Sequence, residues 1–261
     1  MANRQGDFIW FELLTSDPDA AGRFYSDVVG WSIQDSGMPD MDYRIFNAPD
    51  GSVGGLMKMP DGMSSGPVWL GYVATEDVDR TAAEVQRAGA RPQMPATTIE
   101  GVGRIAMLAD PQGATLYVMR GASDETSTAF KQAKDGVGHV AWAELTSPDP
   151  DASSEFYGTV FGWRRDGAMP MGELGKYEFL HNASGNFGAV MPSSVPGSTP
   201  GWLYYVHVAD IDRSAERIRS GGGAIVQEPI EIPGGDYSLV AADPQGARFG
   251  LVGPRKASGE Q

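Results

Sequence analysis

The chain contains no cysteine. That excludes disulfides, a thiolate nucleophile and any cysteine-ligated metal. Positive charge is in short supply: 20 Lys and Arg stand against 34 Asp and Glu, a formal charge of −14. Nucleic acid and anionic membrane are polyanions, so this balance disfavours both as partners. Long apolar runs are missing as well. No stretch reaches membrane-spanning length, and the start, MANRQGDF, lacks the apolar core of a signal peptide. The expectation is a cytoplasmic protein. There is no G-x-S-x-G or Walker pattern, and Gly221-Gly222-Gly223 follows a helix instead of opening one, so it reads as a helix stop. Histidine is limited to His139, His181 and His207.

What is present occurs twice. Gly6 to Trp31 reads GDFIWFELLTSDPDAAGRFYSDVVGW, and Gly138 to Trp163 reads GHVAWAELTSPDPDASSEFYGTVFGW. Thirteen of the 26 positions are identical without gaps, too many for two unrelated segments. PVWLGYVATEDVDR from Pro67 matches PGWLYYVHVADIDR from Pro200, and DPQGA stands at Asp110 and again at Asp243. The offset is 132 or 133 throughout, which marks a duplicated domain and not a solenoid. A length of 261 residues holds two domains of ordinary size.

The local pattern fills in the elements. Residues 7 to 14 are mostly apolar and aromatic and predict a buried strand. Ser16-Asp17-Pro18-Asp19 starts a helix with a capping side chain, proline in the first turn and an acid at the positive end. Ala21, Phe24, Tyr25 and Val28 share one face, and Gly30 ends the helix. Tyr43–Ala48 and Val53–Met59 read as strands. In the next quarter Val68–Ala74 is a strand, Asp77 caps a helix ending near Ala88-Gly89, and strands follow around Arg91–Met94, Gly103–Leu108 and Ala114–Met119. Asp110-Pro111-Gln112-Gly113 turns between the last two. The second half repeats the programme, with helices near 150–161 and 211–220. Four β-α-β-β-β units predict an α+β fold with helices on one side of mixed sheets.

A strand, then D-P-D-x4-FY-x4-GW, then a later DPQGA turn resembles the vicinal oxygen chelate superfamily of glyoxalase I, bleomycin-resistance proteins and extradiol dioxygenases. The resemblance covers Asp7 to Met119 and His139 to Val252 and is nearest to the two-module, actinobacterial glyoxalase-like type. It implies two tandem modules, each a pair of β-α-β-β-β units whose curved mixed sheets enclose a cleft for a divalent metal or a small organic ligand. The expected boundaries are a first module over 1–122, a linker over 123–136, a second module over 137–255 and a frayed tail over 256–261.

The resemblance also fixes where metal ligands would stand. The first-strand ligand lies seven residues before the Asp that opens the helix; here Trp10, Leu70, Trp142 and Leu203 occupy those positions. The carboxylate ligand lies seven residues after the Asp of the turn; here Tyr117 and Gly250 stand there. A dication wants several converging His, Asp or Glu side chains, so the expectation is no metal and no other cofactor. Strand parity turns Trp10, Glu12, Leu14, Leu70, Tyr72 and Ala74 toward the first cleft. It turns Trp142, Glu144, Thr146, Leu203, Tyr205 and His207 toward the second.

These rings and acids suit a flat or apolar organic molecule. The expected binding residues are Trp10, Tyr72, Arg104, Tyr117, Trp142 and Tyr205. Trp10 and Trp142 have a second reading, as plugs that close the clefts. Glu12 and Glu144 are read either as buried acids in structural ion pairs, Glu12 with Arg104 for instance, or as general bases. His207, two residues after Tyr205, is the histidine on cleft parity and could exchange a proton with Glu144. The catalytic candidates are therefore Glu144, His207 and Glu12, for a lyase, isomerase or cyclase. A metal enzyme with a relocated site is a further alternative. The Met-Pro pairs at 38, 59, 169 and 191 are expected in loops, and Gly54, Gly55 and Gly188 make room in the cleft or mark bends. The expected partner is a small molecule, bound by a monomer or weak homodimer.

Overall fold

The computed structural model describes residues 3–39, 41–60, 62–63, 66–133, 135–193 and 200–256. The first half runs β1 (Phe8–Thr15), α1 (Pro18–Val28), β2 (Ser32–Asp35), β3 (Tyr43–Ala48) and β4 (Gly51–Lys58). It continues with β5 (Val68–Ala74), α2 (Val78–Arg87), β6 (Arg91–Ile99), β7 (Gly103–Ala109) and β8 (Thr115–Gly121). The second half repeats this as β9 (Val140–Ser147), α3 (Pro150–Phe161), β10 (Arg164–Pro170), β11 (Lys176–Asn182) and β12 (Gly185–Pro192). Then come β13 (Gly201–His207), α4 (Ile211–Ser220), β14 (Ala224–Glu231), β15 (Tyr237–Ala242) and β16 (Arg248–Gly253). The α+β fold and its β-α-β-β-β order are as the sequence predicts.

Each half builds one eight-stranded mixed sheet, in the order β2-β3-β4-β1-β5-β8-β7-β6 and β10-β11-β12-β9-β13-β16-β15-β14. The register is parallel where β1 meets β4 and β5 meets β8, and antiparallel within each hairpin. The helices start as the motifs require. Asp17, Asp77, Asp149 and Asp210 each cap a helix, their carboxylates accepting backbone N–H groups of the first turn. Gly162 ends α3 at φ 71°, in the left-handed region that costs glycine little.

The chain divides into two compact units, each with segments from both halves. One contains Met1–Ile9, Leu70–Ser127 and Ala143–Leu203; the other contains Trp10–Trp69, Thr128–Trp142 and Tyr204–Gln261. In the second of these, Tyr25 of α1 lies against Trp31, Phe46, Trp69 and Phe249, with ring centroids 5.2–5.9 Å away. The Tyr25 hydroxyl donates to Asp243 at 3.2 Å and accepts from the Trp69 indole at 2.9 Å. The other unit repeats the motif: Tyr157 donates to Asp110 at 2.9 Å and accepts from Trp202 at 3.1 Å. Trp31 and Trp163 also donate across the duplication, to the carbonyls of Gly138 and Gly6.

Several details depart from the sequence reading. The stretch between the halves is built in: Ala129 is fully buried, Phe130 bridges to Val140, and the Ser127 hydroxyl donates to Ile9. Met169-Pro170 and Met191-Pro192 end strands β10 and β12 instead of lying in loops. Gly54 and Gly188 do not make room for a ligand. A Cβ at either would lie 2.0 Å from a backbone carbonyl oxygen, that of Phe11 or Ala143, so close strand approach demands glycine there. Of the expected tail, 257–261 lies outside the described residues.

Candidate functional site

In one unit, Glu12 of β1 is 4% exposed and stands opposite Gly55 of β4. The hydroxyl end of Tyr43 of β3 lies over that glycine: a Cβ at Gly55 would come within 1.8 Å of its hydroxyl oxygen. The Tyr43 hydroxyl accepts the Trp10 indole N–H at 2.9 Å. Trp10, Glu12 and Tyr43 thus form one patch, with a polar centre under aromatic cover.

The same unit holds the other expected residues of β13. Tyr205, 7% exposed, lies over Gly250, where a Cβ would meet its ring at 2.3 Å. The ligand-register glycine therefore serves as a bare floor for a tyrosine ring. Two residues on, His207 is 7% exposed, and its buried Nδ1 has no hydrogen-bond partner among the described residues. Burial pushes the imidazole below its ordinary pKa, opposed by the nearby charge of Asp236. Trp142 is half-buried, as is Trp10.

In the other unit, Tyr177 of β11 donates its hydroxyl to Oε2 of Glu144 at 2.9 Å; Glu144 is 7% exposed and faces Ala189 of β12. Tyr72 and Tyr117 stand opposite each other on β5 and β8 and stack at 4.2 Å with a 12° tilt, so the phenol at this ligand position packs against a ring. Leu70 is buried and Leu203 half-buried.

Arg104 corrects an expectation. Its guanidinium makes a two-point ion pair with Asp79 of α2, at 2.6 and 2.7 Å, and donates to Thr98 at 2.9 Å. On β7 it pairs with Arg120, three residues from Met107, which pairs with Tyr117, and alternation over an odd number of residues puts the two pairs on opposite faces. It therefore serves the helix face and not the face of the stacked tyrosines.

The structure adds Tyr43, which the sequence places only at the start of a strand, and Tyr177, which it does not single out. They are 134 apart, one step off the period of the other repeats, and each begins or nearly begins a strand. Matching that aromatic pair across the halves is the signal that could have found them.

Among the described residues there is no group of three or more His, Asp or Glu side chains placed to hold a metal ion, and no helix long and apolar enough to cross a membrane.

Comparison with known proteins agrees with this layout. The family model of the Glyoxalase/Bleomycin resistance protein/Dioxygenase superfamily matches residues 136–251, and that of a glyoxalase-like domain matches residues 9–119. CFP32 of Mycobacterium tuberculosis, a candidate glyoxylase, is 31% identical over 255 residues, 96% of each chain. The anthracycline biosynthesis protein DauV of a Streptomyces species is 28% identical, covering 95% of this chain and 93% of its own. Among solved structures, the Mn(II)-bound glyoxalase of Novosphingobium aromaticivorans shares the fold, with a TM-score of 0.67 at 18% identity over 98% of this chain and 84% of that one. The chain belongs to the glyoxalase/bleomycin resistance protein/dioxygenase superfamily, as two tandem glyoxalase-type modules.

Proposed function

We propose that this protein binds a planar, largely apolar organic molecule against its aromatic strand faces, without a coordinated metal. The observation that carries the reading is the fate of the ligand positions. Trp10 gives its indole N–H to a tyrosine, Tyr117 stacks on Tyr72, and Gly250 lies under the ring of Tyr205. A divalent ion needs converging imidazole or carboxylate donors, which this set does not offer, so the residues do not fit the metal the family implies. They fit a flat ligand, which stacks on rings and meets a few fixed polar groups. Glu144 supplies one such group, its carboxylate oriented by the Tyr177 hydroxyl. The likeness to an anthracycline biosynthesis protein supports a polycyclic aromatic ligand.

Metal analysis of protein purified without chelator, with melting in the presence of anthraquinone, tests this. The expected result is no stoichiometric dication and a ligand-induced rise in Tm, of the order of 2.7 kcal/mol of added stability at a hundredfold excess over Kd. The rise should shrink in Trp10→Ala, Trp142→Ala and Glu144→Ala. One tightly held dication per chain would sink the reading.

A second reading is proton transfer, in a lyase, isomerase or cyclase that uses Glu144, Glu12 or His207. It is favoured by an imidazole whose pKa burial lowers and by carboxylates buried on strands. Exchange of solvent deuterium into anthrone, lost in Glu144→Gln, would establish it.

A further inference from the structure

We propose that His207 is the residue that selects ligands carrying a proton donor, with its Nδ1 accepting an aromatic O–H or N–H. The proposal rests on the planar-ligand reading above and names the ligand's polar group.

Two buried histidines have a bare Nδ1, His139 and His207. For His139 the arrangement closes on itself. The ring is fully buried, and Nε2 meets Asp50 at 2.5 Å, with Lys131 on the other Asp50 oxygen at 3.0 Å. The side chain is 0% exposed and tied to that carboxylate, so its place is closed to a ligand.

His207 is different. Its backbone is fixed on both sides: its carbonyl accepts from Gly138 at 2.7 Å, its N–H donates to the His139 carbonyl at 2.9 Å, and it pairs with Val252 of β16. Its side chain follows Tyr205 on the same face of β13, in the row of Val252 and Ser238. Among the described residues no carboxylate is bonded to either ring nitrogen; Asp236 acts through its charge.

The tautomer follows from the cost of burial. A buried N–H without an acceptor is rarer and worse than a buried acceptor without a donor. Nδ1 therefore carries the lone pair and Nε2 the proton. A buried lone pair left unmatched, two residues along the strand face from Tyr205, is completed by a donor arriving with a ligand. A site built for a donor rejects the analogue that lacks it more strongly than an apolar pocket would. The first half has Ala74 at the equivalent position, so this selection belongs to the second half alone.

The test compares β-naphthol with its methyl ether, two flat molecules of nearly equal size of which only the first donates. Binding to the full chain is measured by calorimetry, and the His207 ring nitrogens are followed by NMR in the wild type. The expected result is β-naphthol about tenfold tighter than the ether, as one hydrogen bond to a buried group gives, with the Nδ1 resonance shifting on binding. In His207→Phe the two affinities should converge, while His207→Gln, which keeps an acceptor, should restore part of the preference. If His207→Phe does not fold, the wild-type resonance and His207→Gln decide. Equal affinities in the wild type, or an unmoved Nδ1 resonance with β-naphthol bound, would overturn this proposal and leave the planar-ligand reading standing. If neither molecule binds, both fall.

Discussion

The hydroxyl of Tyr25 donates to the carboxylate of Asp243, 218 residues further along the chain, and Tyr157 does the same for Asp110. The FY of each helix thus meets the DPQGA turn of the opposite half. Each aspartate also accepts two backbone N–H groups of its own turn, Gln112 and Ala114 or Gln245 and Ala247. The pair welds a helix of one half to a turn of the other inside one buried cluster.

Tyr25→Phe should therefore destabilise by about 1–3 kcal/mol, because it leaves both Asp243 and the Trp69 indole short of a buried partner. Tyr157→Phe should cost a similar amount in the other unit. Urea unfolding of each single variant with the matching Asp→Asn and of the double variants measures the coupling. A coupling near zero would mean the tyrosines contribute only packing.

Two sets of acids should respond oppositely to pH. Burial raises Asp110 and Asp243 above the usual carboxylate range. Their contribution to stability is present below the unfolded value of 3.8 and is lost as pH rises through the raised folded value. Asp50 is held down to about 2, first by His139 and then by Lys131, so its contribution is present above 3.8 and lost as pH falls toward 2. Melts from neutral to strongly acid solution should show wild type gaining on Asp243→Asn as pH falls, and losing its lead over Asp50→Asn.

His207 gives a third pH signature. Burial lowers its folded pKa from 6.5, so the stability it contributes is present above 6.5 and lost as pH falls through the lower folded value. Between pH 7.5 and pH 5.5, about one unit either side of an ordinary histidine, wild type should lose more stability than His207→Phe. Parallel melting curves for the two proteins would contradict the burial of this ring.

The strand glycines separate two kinds of close approach. Gly54→Ala and Gly188→Ala press a methyl group on a backbone carbonyl and should cost more than about 3 kcal/mol or prevent folding. Gly55→Ala meets only the tip of the Tyr43 side chain, which can move. That variant should fold, displace Tyr43 and shift the Trp10 indole N–H in the NMR spectrum as its hydrogen bond breaks. An unshifted Trp10 resonance would show that Tyr43 does not lie over Gly55.

Much of the fold was legible because strand and helix signals are local. The aspartate caps, the apolar face of α1 and the turn at Asp110 act within a few residues of themselves, and the elements appear where those signals stand. The candidate site was legible in part. Parity turns Glu12 toward the first cleft and Glu144, Tyr205 and His207 toward the second, and all four are buried. The roles of Tyr43 over Gly55 and of Tyr177 on Glu144 were not legible, because both come from neighbouring hairpins and the sequence does not say how far a hairpin side chain leans. Arg104 was misplaced for the same reason: a long side chain was assigned a partner by charge, while the helix above its own strand supplied Asp79 at closer range.

By itself the sequence determined the duplication, the β-α-β-β-β order and the replacement of metal-ligand positions by rings, a leucine pair and a glycine. Each of these is a property of residue identity at fixed spacing. Only the tertiary structure decided which copy of each motif meets which. FY and DPQGA occur in both halves with the same chemistry, so Tyr25 with Asp110 and Tyr25 with Asp243 are equally allowed on paper. Packing chose the second, because the helix face and the turn share a buried cluster only across the duplication.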